Sequence, residues 1–144
     1  MADTFQFEIV TPEKLVVRDV AEEMQIPGKN GYLGILPGHA PLITELGVGE
    51  ISYRDSKSQV KRLAVAWGFV EVLADKVTIL AETAERAEDI DVARARAARE
   101  RAESVIKSPP PDADVAKAEA QLQVANTRIS VAEKLNSQAA NLVP

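Results

Sequence analysis

Close to residue 85 the chain changes its hydrophobic period, and no single architecture serves both sides of that change. Before it, short apolar stretches alternate with polar residues and are bounded by Gly, Pro, Asn and Asp. After it alanine dominates, and no glycine occurs from Ile90 to the end. Alternation belongs to strands and a three-to-four-residue repeat to helices. The chain is therefore predicted to be an α+β protein with its strands and helices segregated, one domain over 1–84 and a second over 85–144.

The first part reads as a small antiparallel β domain. In FQFEIV, Phe5, Phe7 and Ile9 fall on one face and Gln6 and Glu8 on the other. KLVVRDVAEEMQIP follows as one long strand or a bulged pair, then the turn GKNG and the strand YLGIL. GEISYRD, QVKRLAVAW, GFVEVLA and KVTILAE are further strands, with turns at 55–58 and 74–76. Repeated short strands of this kind close into a sandwich or a flattened barrel.

The second part reads as two helices. Asp89 is predicted as the first N-cap, with Asp91 in the first turn, where a negative charge favours the helix dipole. SPPPD (108–112) must end that helix, because consecutive prolines remove donors and bar helical geometry before them. Asp112 or Asp114 can cap the second. There Val115, Ala118, Leu122, Ala125, Ile129 and Ala132 recur at heptad spacing, and Ala95, Ala98, Ala102 and Val105 repeat the interval in the first helix. Two narrow stripes joined by a proline turn predict an antiparallel hairpin whose alanines allow close approach. All the aromatic residues, Phe5, Phe7, Tyr32, Tyr53, Trp67 and Phe69, precede residue 70, so this half packs thinly and its docking is expected to be weak and reversible.

Charge and motif narrow the function. A net charge of -5 argues against a nucleic-acid binder. Residues 1–84 carry twelve acids against eight Lys and Arg, and 85–144 ten against nine, so the deficit lies in the β part. There is no cysteine, hence no disulfide or thiolate metal site, and no phosphate-cradling glycine loop, nucleophile elbow or zinc-protease helix. The single histidine, His39, sits between prolines in PGHAPL and reads as a loop residue fixing a turn. Neighbouring Glu22 and Glu23 point to opposite faces of a strand and cannot share a proton. No catalytic mechanism assembles, and no metal site is expected. The N-terminus shows no secretory signal, and no apolar run reaches the ~18 residues of a membrane span.

GKNGYLGILPGHAPLIT (28–44) is denser in Gly and Pro than a hairpin needs. Turn chemistry accounts for this; a rigid loop presented to a partner is the functional reading. The four arginines of EDIDVARARAARER (88–101) pose a similar choice. Contact with an acidic partner, contact with a nucleotide phosphate and a solvated helix face all suit them, and partner contact ranks first.

LGILPGHAPL, the run GFVEVLADKVTILAETAERAEDID, the IDVARA segment and RISVAEKL together resemble the epsilon subunit of the F-type ATP synthase. The likeness runs in order over nearly the whole chain. It implies an N-terminal antiparallel β-sandwich of about ten strands followed by a C-terminal two-helix hairpin, in a non-catalytic subunit of the rotor's central stalk. It also implies that the sandwich binds the gamma subunit and the c-ring, coupling proton or sodium flow to rotation. Gly28, Lys29, Asn30, Gly31, Tyr32 and Leu33 correspond to the c-ring-facing loop, and His39 lies near the gamma-facing surface. Tyr32 stands where some relatives have a carboxylate.

The resemblance further implies a mobile hairpin that folds against the sandwich or extends along gamma into the alpha/beta catalytic hexamer, where it blocks ATP hydrolysis. No cofactor is required. Glu85, Ile90, Asp91, Arg94, Ala95, Arg101 and Arg128 match the positions at which related subunits bind ATP as a regulatory ligand. Val124 stands where those relatives carry another arginine. The implied place is the cytoplasmic face of a bacterial plasma membrane, peripheral, in the F1 sector, without direct membrane insertion or nucleic-acid contact. A free-standing nucleotide-sensing module without a rotor partner is the alternative reading.

Overall fold

In a computed structural model the described residues are 3–141, and they divide into two compact units after Arg86. The first contains seven strands: β1 (Phe5–Val10), β2 (Leu15–Ala21), β3 (Glu23–Gly28), β4 (Gly31–Ile35), β5 (Leu42–Arg54), β6 (Val60–Val72) and β7 (Lys76–Arg86). They form one sheet in the order β2-β1-β7-β6-β5-β3-β4. Every neighbouring pair is antiparallel except β1 with β7, which run parallel with Phe7 beside Val77 and Ile9 beside Ile79. KLVVRDVAEEMQIP, left open between one strand and a bulged pair, is divided at Glu22 into β2 and β3.

The sheet folds over on itself. Phe7 on β1 and Tyr53 on β5 touch edge to face with ring centroids 4.6 Å apart, although β7 and β6 lie between their strands in the sheet. Only a sheet curled into two facing layers brings those rings together. Phe7, Ile9, Met24, Ile26, Ile51 and Ile79 are fully buried between the layers.

How three long strands serve both layers is visible in their burial. On β6 the core is fed by Leu63 and Val65, then by Val70 and Val72, so the inward face passes from odd to even positions. The change falls at Trp67 and Gly68, whose φ angles of 56° and 131° are both positive. Parity also reverses on β5, between Leu46 and Ile51, and on β7, between Ala81 and Ala84. Pairing with both neighbours skips Trp67 and resumes in unchanged register. About ten strands were expected and seven are found. Each phase reversal looks like a strand end in the sequence, yet the backbone stays in the sheet, so QVKRLAVAW and GFVEVLA are one strand.

The second unit begins with a 3-10 turn, Ala87–Asp89, followed by α1 (Val92–Lys107) and α2 (Val115–Asn141). Asp91, not Asp89, caps α1: its Oδ1 accepts from the Arg94 N–H at 3.1 Å. Asp89 is taken into the tight turn, where the Ile90 N–H donates to the Ala87 carbonyl. Ser108, kept out of the helical region by the proline after it, closes α1 by donating its N–H to Ser104 O at 3.0 Å. Asp114 caps α2, accepting from the Lys117 N–H at 3.0 Å. Ala95 and Ala102 of α1 and Ala118, Ala125, Ile129 and Ala132 of α2 are buried, so the two helices pack through the small-residue seam.

Candidate functional site

The β3–β4 turn is assembled from sequence neighbours. Gly28 pairs with Gly31, leaving Lys29 and Asn30 as a two-residue turn. β4 is an edge strand, so the turn stands at the margin of the sheet. Lys29 is tied to β5 twice: its N–H donates to Glu45 O at 3.0 Å and its Nζ lies 3.1 Å from Glu45 Oε2. Tyr32 is 58% exposed, yet its Oη accepts from the Glu50 N–H at 3.0 Å. Leu33 is half-buried and packs against the core.

His39 lies in the next loop. Its Nδ1 is 2.7 Å from Ala40 O, which as a carbonyl only accepts, so Nδ1 carries the proton. Its own N–H donates to Leu36 O at 3.1 Å, and Gly38 N–H to Ala74 O at 2.9 Å. The histidine thus serves the loop's shape.

An outward apolar row was missed in the sequence. Phe69 on β6 pairs with Leu80 on β7, Leu80 pairs with Val10 on β1, and Ile43 on β5 lies one diagonal step from Phe69. Ile43, Phe69 and Leu80 are 72, 57 and 54% exposed. A shallow groove beside the row is lined by Val10, Pro12, Phe69 and Leu80. The signal was available in KVTILAE and GFVEVLA: once Ile79 and Val70 face inward, Leu80 and Phe69 must face outward.

In the second unit, Arg94 and Arg101 are exposed and lie two turns apart on α1, while Ile90 and Ala95 are buried. The Asp91 carboxylate is partly engaged by its capping bond. Arg99 reaches Glu103 at 3.6 Å, an exposed pair of the kind worth only tenths of a kcal/mol. Arg128 is half-buried on α2, with Val124 one turn before it. Glu85 belongs to the first unit, paired with Ala64 near the end of β7.

A rolled sheet that presents an apolar row and a pinned turn, followed in sequence by a thinly packed hairpin, is the build of a protein that works through its surfaces. Residues 4–87 match the family described as ATP synthase, Delta/Epsilon chain, beta-sandwich domain, and 88–133 its long alpha-helix domain. The chain belongs to the ATP synthase delta/epsilon chain family. A relative from Koribacter versatilis (strain Ellin345), an ATP synthase epsilon chain, is 71% identical over 78% of each chain. Another, from Moorella thermoacetica, is 49% identical over 90% of this chain and 96% of its own. As in those epsilon chains, the role is that of a non-catalytic subunit of the enzyme complex.

The fold is shared with solved structures. A chain in the Euglena gracilis mitochondrial ATP synthase superposes with a TM-score of 0.77 at 19% identity, over 88% of this chain and 80% of that one. A chain in the Tetrahymena thermophila mitochondrial ATP synthase central stalk and c-ring gives 0.55 at 16%, over 91% and 95%. Among the described residues no helix is long and apolar enough to cross a membrane.

Proposed function

We propose that residues 1–84 meet the gamma subunit and the c-ring in the central stalk and couple ion translocation to ATP synthesis. The observation that carries this reading is the outward row of Ile43, Phe69 and Leu80. Exposed apolar surface costs about 25 cal/mol per Å², and a partner that covers it recovers that free energy. Gamma takes this face and the His39 loop; the c-ring takes the turn of residues 28–33. The protein is peripheral, on the cytoplasmic face of a bacterial plasma membrane.

Residues 85–144 are the regulator. An interface made largely of alanines suits an element with two arrangements close in free energy. Extended, the hairpin reaches the alpha/beta hexamer and blocks ATP hydrolysis. Folded, it takes ATP as a regulatory ligand, with Arg94, Arg101 and Arg128 on phosphate oxygens, Glu85 and Asp91 accepting from ribose or adenine, and Ile90 and Ala95 packed beneath. Val124 supplies no further guanidinium, which lowers affinity by about tenfold or more.

Truncation after Glu88, measured in the whole complex, tests both halves. Gamma binding should persist and ATP hydrolysis should rise. Unchanged hydrolysis would overturn the regulatory role; a full-length chain that does not bind gamma would overturn the first.

A further inference from the structure

The β3–β4 turn is held by more than its own hairpin. β3 runs along β5 in two registers: Glu23, Met24 and Gln25 pair with Arg54, Tyr53 and Ser52, whereas Gly28 pairs with Leu46. Between these, residues 47–51 of β5 lie opposite only Ile26 and Pro27. Proline has no N–H to offer, and the longer β5 segment must arch as it passes Ile26 and Pro27. The Glu50 N–H lies within that arch. It is Tyr32, paired across the hairpin with Pro27, that takes it.

The steric setting is matched to this bond. A Cβ on Gly49 would stand 2.7 Å from Tyr32 Oη and 2.8 Å from Pro27 Cβ, so only glycine leaves room for the phenol and the proline ring on β5. The hydroxyl is thus fixed while most of the ring faces outward. On the other side, Lys29 is fixed to Glu45 through backbone and side chain.

We propose that Tyr32 is a positioning residue that fixes the 28–33 turn in its partner-binding shape by accepting the Glu50 N–H across the β3/β5 register shift. Resting on the reading that this turn meets the c-ring, the assignment adds to it what holds the contact surface in place. A turn released from β5 keeps its contact residues but must be ordered on binding, and that ordering weakens the complex.

The test uses the full-length chain, the purified cognate c-ring and gamma. Tyr32→Phe keeps the ring and deletes the acceptor; Asn30→Trp adds bulk at the exposed apex of the turn. Tyr32→Phe should speed hydrogen exchange at the Glu50 amide, weaken c-ring binding about fivefold, as for one neutral hydrogen bond, and leave gamma binding and the melting temperature nearly unchanged. If Asn30→Trp abolishes c-ring binding while Tyr32→Phe leaves it intact, the positioning role is wrong and the contact surface stands. If neither variant alters c-ring binding, the contact reading fails and the positioning role falls with it. Equal losses in gamma binding, c-ring binding and melting temperature with Tyr32→Phe would mark a general structural effect and also overturn the proposal.

Discussion

Phe7 and Tyr53 meet at an interplanar angle of 63° across the fold of a single sheet, with two strands of that sheet between them. Their contact fastens one layer to the other. Phe7→Ala should cost about 3–5 kcal/mol, the range for a deleted buried aromatic. A double-mutant cycle with Tyr53→Leu in denaturant unfolding should isolate about 0.5–1.5 kcal/mol of coupling from the ring geometry. Strict additivity would mean that the rings merely share a core.

Trp67 and Gly68 should respond to substitution very unequally. A Cβ at Gly68 would strike the carbonyl oxygen of Leu80, and the φ of 131° suits glycine alone. Gly68→Ala is therefore expected to cost more than ~2 kcal/mol. Trp67 already bears a side chain at a φ of 56°, a conformation costing roughly 1–2 kcal/mol for an L-residue. Trp67→Gly removes that strain together with a part-exposed indole, so thermal unfolding should change by less than about 1 kcal/mol, far below the ~3–5 of a buried Trp truncation.

Asp55 should make the acid limb of stability steeper. The Gln59 N–H, donating to its Oδ1 at 3.0 Å, holds its carboxyl below the usual carboxylate range; burial opposes this, and the Lys57 N–H and Lys61 ammonium reinforce it. A depressed folded pKa gives stability that is present above the unfolded value near 4 and lost as pH falls through the folded value. Asp55→Asn should thus melt earlier than the parent at pH 7. The two melting curves should converge below pH 4. A gap constant down to pH 2 would show that the hydrogen bonds act without help from the charge.

Capping by Asp91 should be local in its effect. Asp91→Ala removes the acceptor for the Arg94 N–H and should destabilise the start of α1 by about 1 kcal/mol. Faster amide exchange at residues 92–95, with unchanged exchange in β5 and β6, is the expected signature. Asp89→Ala, which leaves that cap intact, should do much less.

What could be read in the sequence is what neighbours decide. GKNG gives a turn because Gly28 and Gly31 flank it, and the Ala95 and Ala125 stripes are visible because helical spacing puts them on one side. Asp91 and Asp89 both suit a cap, and only the 3-10 turn at Ala87–Asp89 separates them. The strand count was not legible, because a phase reversal and a strand end leave the same mark on alternation. Nor was the Tyr32–Glu50 bond, which depends on how far β5 slips against β3. Likewise Arg94 and Arg101 share a side of α1 by spacing alone, while the setting of Arg128 depends on how α2 packs.

The parallel pairing of β1 with β7 has a consequence for the order of events when the chain is made. β1 precedes the other strands of its sheet in the chain, yet Phe7 and Ile9 lack their neighbours Val77 and Ile79 until the last strand has followed. Non-local pairing of this kind is slow, and the exposed intermediate is prone to stick to others of its kind. The hairpin, whose two helices lie next to each other in sequence, needs no such wait once it emerges. Of the seven strands, β1 thus gains one neighbour, β2, at once and the other, β7, only when the whole sheet is available, so one of its edges stays open through the making of the sandwich.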